Sequence, residues 1–323
     1  MRGAFIRTAA IAGLALAAPD AGMTQEYPAR AVRVVVPFTP GGGTDIVARL
    51  LAQHLTLRLS QSFVVENRPA GSGIVGADYV AKAPADGYTL LFAFSSLASS
   101  AKLVSKLPYD PVADFAPVTL ATTSPLLLVV PASVPAKDVK EFIAYARANP
   151  GKLNYGSSGP GSSPHLATEL LISISGVKLT HIPYKGIAPA VTALLAGEVQ
   201  FSIVPIAVGM PHVKAGKLRA LGTGGPQRSA ATPDIPAVAE SGLPGFEATG
   251  WWGVLAPART PRAVVNFLNK EIRAVLDIAE VRRSLVDQGM DPAGGTPEQF
   301  AALIRTDMDK WGDIGIRLGV KLD

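Results

Sequence analysis

The feature that most constrains this chain is a strand that runs directly into a glycine turn at the start of a helix. The β-branched residues 34–36 predict a buried strand, and the turn that begins at Pro37 contains three consecutive glycines, residues 41–43. Apolar residues then recur at helical spacing from Ile46 to Leu55. Because glycine has no Cβ, a ligand can approach the unpaired amides at the helix start, where the helix dipole favours an anion. The segment predicts either an anion site or a tight turn without a ligand.

A second segment of the same design lies more than a hundred residues further along the chain. Residues 153–155 predict a short strand, and residues 156–163 form a loop made almost entirely of glycine and serine. Pro164 then opens a helix for which Ser163 is the expected N-cap. In open α/β sheets, ligands bind beyond the carboxyl ends of the strands, at turns of this kind. We therefore predict that the two loops hold one anion from opposite sides of a cleft.

Strands and helices alternate along the chain, which predicts an α/β protein with parallel sheets covered by helices on both faces. At 323 residues the chain is long enough for two lobes. We place the crossings near residues 122 and 248, so that residues 22–122 with 248–323 form lobe 1 and residues 123–247 form lobe 2. Two connections of this kind make a hinge, and a hinge allows a cleft to close over its ligand.

The first 21 residues predict a signal peptide. Arg2 and Arg7 form a positively charged segment before an apolar run at residues 9–18, which is too short to span a bilayer. Several alanines satisfy the requirement for small residues at the cleavage site. An ordinary N-terminal helix is the alternative. We therefore expect an exported, periplasmic protein. The chain contains no cysteine, which excludes disulfides and thiolate metal sites.

Composition narrows the range of partners. A hydrophobic fraction of 48% with 17% charged residues excludes a disordered chain, and the net charge of +5 is spread along the sequence. Since no basic run is interleaved with aromatic residues, we expect no nucleic-acid partner. A mild positive charge does favour small anions. The histidines have no metal-like spacing, and we expect neither a metal nor a cofactor.

Two motifs suggest chemistry that the rest of the sequence does not support. Residues 71–76 match G-x-G-x-x-G, but they do not directly follow a strand and no acidic residue ends the next one. We interpret these glycines as packing positions. Four serines near His165 resemble a hydrolase site, but the segment lacks G-x-S-x-G and an identifiable acid. We therefore expect that the protein is not an enzyme.

Seven motifs in order resemble one family, the extracytoplasmic receptors of tripartite tricarboxylate transporters, which are Bug-type solute-binding proteins. The motifs extend over essentially the whole chain after the signal peptide and lie at residues 37–45, 66–69, 86–90, 107–111, 154–163, 181–186 and 295–297. The resemblance implies a type II periplasmic binding protein fold, with two doubly wound lobes, a two-strand hinge and a central cleft. It also implies delivery of an organic acid to the membrane permease subunits of such a transporter, without catalysis. We expect a monomer.

The same resemblance implies that a carboxylate is held between the two loops, mostly by backbone amides and bridging water. The implied ligand-binding residues are Phe38, Thr39, Gly42, Gly43, Thr44 and Asp45 from the first loop, Ser157, Ser158, Gly159, Gly161, Ser162 and His165 from the second, and Ser95, Ser96, Tyr184 and Lys185 along the rest of the cleft. Three of them have local explanations as well. Asp45 complements a helix dipole, His165 can bond within its own helix start, and Lys185 can be a solvated turn charge.

One departure from the family pattern bears on specificity. Many members carry an aspartate after the strand near residue 199, where it can meet the ammonium group of an amino-acid ligand. This chain has Val204 there, followed by Pro205. We therefore expect a plain mono- or dicarboxylate with an apolar or aromatic body, whose identity the sequence does not give. A ligand sensor for a signalling partner has the same sequence features and stays open as an alternative.

Overall fold

The structure, a computed structural model, describes residues 27–69, 73–99, 101–229, 231–317 and 319–320. The signal peptide predicted at residues 1–21 lies outside these residues. Within the described part of the chain, no helix is both long enough and apolar enough to cross a membrane.

Strands and helices alternate along most of the described chain, as the sequence pattern predicts. The strands are β1 (Val32–Val36), β2 (Phe63–Asn67), β3 (Thr89–Phe94), β4 (Phe115–Pro131), β5 (Leu153–Ser157), β6 (Leu179–Pro183), β7 (Phe201–Pro205), β8 (Leu218–Thr223), β9 (Thr249–Pro257) and β10 (Asp291–Pro292). The helices are α1 (Gly43–Leu59), α2 (Ile74–Ala81), α3 (Ser96–Ser99), α4 (Val139–Ala148), α5 (Ser163–Ser175), α6 (Ile187–Ala196), α7 (Ile206–Lys214), α8 (Arg262–Leu276), α9 (Ala279–Asp287) and α10 (Pro297–Arg317).

The strands form two halves of one curled mixed sheet, and the two halves repeat one topology. The first half has the order β2-β1-β3-β9-β4 and the second has the order β6-β5-β7-β4-β8. In each half the first three strands are parallel, the fourth runs against them and the fifth runs against the fourth. The loop after β1 therefore occupies the same place in its half as the loop after β5 in the other.

One long strand, β4, belongs to both halves. It pairs with β9 from Phe115 to Pro125 and with β7 from Leu126 to Val129. The sequence predicts two separate strands here, near residues 118–121 and 126–130, whereas the structure has one. Proline is tolerated inside it because Pro125 lies where the pairing partner changes, so its missing N–H interrupts neither ladder.

The pairing registers bring the carboxyl ends of the parallel strands to the middle of β4. Phe94 ends β3 and pairs with Trp252, which in turn pairs with Thr122. Pro205 ends β7 and pairs with Leu126. Since β3 runs in the direction of β4 and β7 runs against it, the turns that follow the parallel strands converge on this segment. The division into lobes at residues 122 and 248 remains a prediction, and the change of pairing along β4 falls beside the first boundary.

Helices cover both faces of each half of the sheet. In β1, Val34 and Val36 pack against α1 and α8, while Val35 faces α2 and α10. A strand buried on both faces needs apolar residues at every position, which is why this segment reads as a continuous β-branched run. The second half packs against α4 and α5 on one face and against α6 and α7 on the other.

The sequence predicts helix N-caps at Asp138, Ser163, Thr260 and Thr296, and the structure confirms two of the four. Asp138 caps α4, and Thr296 caps α10 in a reciprocal box in which the Gln299 side chain accepts from the Thr296 amide. The N-cap of α5 is Ser162, one residue before the predicted Ser163. Thr260 does not cap α8, because Pro261 is the residue at the helix boundary and the Thr260 hydroxyl has no hydrogen-bond partner among the described residues.

Candidate functional site

The turn after β1 leads into a helix start with unpaired backbone donors. The N-cap is Gly42, which is extended and has no side chain to cap the helix. The first intrahelical bond runs from the Ile46 amide to the Gly42 carbonyl, at 3.0 Å. Within the described part of the chain, the amides of Gly43 and Thr44 have no acceptor. These two N–H groups, with the positive end of the α1 dipole behind them, can receive an anion.

Asp45 is bonded inside the first loop rather than directed at an open site. Its carboxylate accepts from the Gly41 amide at 3.0 Å, from Arg49 Nε at 2.9 Å and from Asn67 Nδ2 at 2.8 Å. Burial alone raises the pKa of this carboxyl, since only 3% of the residue is exposed, but the hydrogen bonds from Arg49, Gly41 and Asn67 outweigh that effect and lower the pKa overall. Asn67 also donates to the Phe38 carbonyl at 3.1 Å, which ties the turn to β2.

An aromatic cluster supports the first loop from below. The ring of Phe94 lies 6.2 Å from that of Phe38 and 4.9 Å from that of Trp252, and Trp252 Nε1 donates to the Thr44 hydroxyl at 2.9 Å. Trp251 and Trp252 are neighbours in a strand and face opposite sides, which predicts that one lies in the core and the other at the hinge surface. That expectation was wrong: Trp251 is buried beneath α10 and Trp252 beneath α1, since helices cover both faces of β9.

Gly73 and Gly76 of the G-x-G-x-x-G motif lie against this loop, and their role is packing, as predicted, whereas Gly71 lies outside the described residues. A Cβ on Gly76 would come within 2.7 Å of the Pro37 side chain, and one on Gly73 within 3.3 Å of the Phe38 ring. Phe38 and Phe94 share a small cavity of about 10 Å³ with Ser96, a volume that suits a single water molecule. Ser95 is buried, and its amide donates to the Trp251 carbonyl at 3.0 Å.

The loop after β5 is folded on itself by short polar contacts. The Ser157 hydroxyl accepts from the Gly159 amide at 3.1 Å, and the Ser162 hydroxyl donates to the Gly159 carbonyl at 2.7 Å. Gly159 has φ of +116° and Gly161 has φ of +68°, a backbone region that side chains with a Cβ rarely adopt. No acceptor among the described residues takes the Ser158 amide, so the second loop also offers a backbone donor.

Two stacked histidines lie directly behind the second loop. The His165 and His181 ring centroids are 4.2 Å apart, and the Tyr155 ring lies 4.8 Å from that of His181 and 6.4 Å from that of His165. His181 Nε2 is 2.7 Å from the Ser157 hydroxyl, and His165 Nδ1 accepts from the Gly161 amide at 2.9 Å. Burial lowers the pKa of both histidines, and burial together with the neighbouring His165 brings the pKa of His181 to about 4. Both rings are therefore neutral at neutral pH.

The remaining predicted residues occupy different positions around the second loop. The Tyr184 amide donates to the Ser157 carbonyl at 3.1 Å, whereas Lys185 is exposed. Val204 is fully buried in the core beneath α7, and the half-buried Pro205 follows it at the strand end. Their assignment to specificity remains a prediction, with the geometry favouring Pro205.

Gly289 and Met290, just after α9, connect the first loop to the second half of the sheet. The sequence did not single out these residues. A Cβ on Gly43 would lie 3.2 Å from Met290 Cε, and the adjacent Gly289 packs against Ile206 at the start of α7. The Ser124 hydroxyl donates to the Gly289 carbonyl at 2.7 Å. No pattern in the sequence points to this contact, because it depends on where the chain returns after α9.

Metal ligands do not cluster in the described part of the chain. No group of three or more histidine, aspartate or glutamate side chains there has a geometry that suits a metal ion. The candidate site is thus a pair of loops at equivalent places in two half-sheets, with backbone amides and hydroxyls as its polar groups.

Comparison with known proteins agrees with this geometry. Residues 47–320 match the family described as "Tripartite tricarboxylate transporter family receptor" (TctC). BugT of Bordetella pertussis is 38% identical over 322 residues, which covers 99% of this chain and 97% of BugT. Rpa4515 of R. palustris, solved with adipate, is 38% identical with a TM-score of 0.83, covering 92% of this chain and 99% of that one. MatC (Rpa3494) of Rhodopseudomonas palustris, solved with malate, is 35% identical with a TM-score of 0.78, and the match covers 89% of this chain and 99% of MatC.

Fold and site therefore define a solute-binding receptor of the periplasmic type and not an enzyme. The chain belongs to the tripartite tricarboxylate transporter receptor family, and its resemblance to the Bug-type proteins is confirmed.

Proposed function

We propose that this receptor captures a small organic carboxylate between the loops after β1 and β5. The observation that carries the proposal is the helix start of α1, where the amides of Gly43 and Thr44 have no protein acceptor in the described chain. A carboxylate supplies the acceptors that such donors need. Each amide contributes roughly 1 kcal/mol, and several together with the helix dipole reach micromolar affinity, about −8 kcal/mol. A receptor that must release its cargo benefits from this moderate strength.

Adipate and malate are bound by two similar receptors, which supports a dicarboxylate or a related acid as the ligand here. The strand end at Val204 and Pro205 offers no carboxylate to pair with an ammonium group. Phe38 and Phe94 are only half-buried beside the first loop, and their rings suit an apolar or aromatic ligand body. We therefore propose a carboxylate without an amino group.

The resemblance extends to cellular role. We propose that the protein is exported to the periplasm by the signal peptide at residues 1–21 and delivers its ligand to the membrane subunits of a tripartite tricarboxylate-type transporter. Presentation of the liganded form to a signalling partner is the alternative. Retention of membrane subunits from the native organism by the immobilised, liganded protein supports transport, and retention of a sensor kinase supports the alternative.

A thermal-shift screen over mono-, di- and tricarboxylates tests the capture of a carboxylate. A ligand that binds only the folded state stabilises that state, by about 2.7 kcal/mol when its concentration is a hundred times its Kd. The melting temperature therefore rises. We expect one class of carboxylate to raise it and neutral analogues of the same shape to leave it unchanged. No response to any acid would contradict the proposal.

Isothermal titration with matched ligands tests the absence of an ammonium partner. Succinate and aspartate have the same carbon chain and differ in the amino group, as glutarate and glutamate do. We expect the desamino acid to bind more tightly in each pair, because a buried ammonium group without a counter-charge is costly. Tighter binding of the amino acid would show that the specificity assignment of Val204 and Pro205 is wrong.

A further inference from the structure

The two loops are fixed by the same contact at the same position. In the first, the Gly41 amide donates to Asp45 Oδ2 at 3.0 Å, and in the second the Gly161 amide donates to His165 Nδ1 at 2.9 Å. In each case the acceptor is the third residue of the helix and the donor is the residue before the N-cap. Both helices thus use a buried side chain to hold the loop backbone, with an acid in one half and an imidazole in the other.

The hydrogen bond determines the protonation state of His165. Because the Gly161 amide donates to Nδ1, that nitrogen carries no proton, and the ring is the neutral form protonated on Nε2. Nε2 lies 4.0 Å from Glu169 Oε1, and His165 is only 7% exposed. The titratable groups that face the ring are His181 from β6, Tyr155 from β5 and Glu169 from α5 itself, and the Tyr155 hydroxyl donates to Glu169.

We propose that His165 is a positioning residue: as a neutral acceptor it fixes Gly161 and the donors of the second loop, and its protonation weakens carboxylate binding. This rests on the proposed function. A proton on Nδ1 would set one N–H against another at 2.9 Å, so the Gly161 amide would have to turn away. Since Gly161 already has a positive φ, the loop around it would rearrange as a unit.

A ligand contact and a positioning role predict opposite effects of pH. If His165 touched the carboxylate, protonation would create an ion pair and tighten binding as the pH falls. If His165 holds the loop, protonation removes the acceptor and binding weakens. Burial keeps the pKa of His165 below its ordinary value of 6.5, so the effect appears on the acidic side of that value.

The loop itself is tested without ligand, by NMR of the full chain labelled with ¹⁵N. Asparagine can place Oδ1 where His165 has Nδ1, whereas a leucine side chain cannot accept a hydrogen bond. The informative variants are therefore His165→Asn and His165→Leu. The control is His54→Asn, in the body of α1. We expect the His165 ring to show the Nε2-protonated tautomer and the Gly161 amide signal to titrate with it. In His165→Asn the chemical shift of the Gly161 amide should not depend on pH. In His165→Leu that chemical shift should differ from the shift in the unmodified chain. A Gly161 amide chemical shift that changes neither with pH nor in either variant would overturn the proposal.

Binding is tested by titrating adipate and malate at about pH 7.5 and about pH 5.5. We expect His165→Leu to bind about tenfold more weakly than the unmodified chain at the higher pH, and His165→Asn to stay within about threefold. Dividing the Kd of the unmodified chain by the Kd of His165→Asn at each pH removes the effect of the ligand's own protonation. We expect this ratio of Kd values to be higher in acid. A ratio that falls in acid would make His165 a ligand contact and overturn the positioning role. If neither acid binds the unmodified chain, adipate and malate are excluded as ligands, while the Gly161 titration still decides whether His165 holds the loop.

Discussion

Single buried polar side chains shape the backbone of both candidate loops. Asp45 and His165 each accept from an amide four residues earlier, and Trp252 donates to the Thr44 hydroxyl. A buried polar group is tolerated only when it is bonded, so each of these contacts also limits the conformations that the loop can adopt. Asp45 and His165 therefore have a role in the structure whether or not they meet the ligand directly.

Replacing Asp45 tests this role by its effect on stability. Asp45→Ala removes the acceptor of the Gly41 amide and one acceptor each from Asn67 and Arg49, and we expect a loss of about 2 kcal/mol at neutral pH. The hydrogen bonds lower the pKa of this carboxyl from 3.8, so its contribution is complete above 3.8 and is lost as the pH falls through the lower, folded value. Urea unfolding of both proteins from acid to neutral pH measures the difference. A difference that persists undiminished in strong acid would show that the charge is not responsible.

The strand, glycine turn and helix start form the unit that presents backbone donors. Gly43 shows why the turn needs small residues: a Cβ there would lie 3.2 Å from Met290 Cε and 3.9 Å from Trp252. The neighbouring amides stay accessible because nothing projects over them. This crowding comes from Met290 after α9 and from Trp252 in β9, and not from the turn itself.

Substitutions at Gly43 test the first loop. Alanine adds one carbon that the flexible end of Met290 can accommodate, whereas valine adds two more into the same space. We expect Gly43→Val to lower stability by about 1–3 kcal/mol and to abolish the thermal shift produced by the carboxylate found in the screen. Gly43→Ala, the matched control, should fold normally and keep most of the shift. Unchanged affinity in Gly43→Val would remove the first loop from the site.

At the scale of the whole molecule, the repeated topology gives the two loops their relation. The parallel strands of both halves end near the middle of β4, which is shared between them. The C-terminal helix α10 also reaches both halves, since Phe300 packs in the core of the first and Trp311 in that of the second. Lys310 Nζ donates to the Glu247 carbonyl at 2.9 Å, just before β9 begins. Relative movement of the halves would therefore bend β4 and the chain just before β9, and would shift the contacts along α10.

Solution scattering tests closure of the cleft. For a compact chain of this length the radius of gyration is about 20 Å, and we expect a saturating carboxylate to reduce it by on the order of 1 Å as the halves approach. Gly43→Val at the same ligand concentration should scatter like the free protein. A radius that does not change at saturation would contradict a hinged mechanism.

Much of the backbone of the candidate site was predictable because its signals are local. Glycines before a helix and a serine N-cap specify turn geometry within a few residues, and the alternation of strands and helices specifies an α/β fold. The cap of α5 was misplaced by one residue, since Ser162 and Ser163 have equal propensity and only the structure selects Ser162. The burial of Trp252 could not be predicted, because α1 covers that face of β9 from two hundred residues away in the sequence.

The sequence by itself determined the class of fold, the two strand-to-helix loops and the absence of thiol chemistry, since these follow from propensity and composition. Only the tertiary structure decided that β4 is one strand shared by both halves, that Asp45 and His165 face their own loops, and that Met290 packs against Gly43. The physical reason is distance along the chain. Contacts between residues far apart in sequence depend on how strands pair and helices pack, which no local pattern encodes.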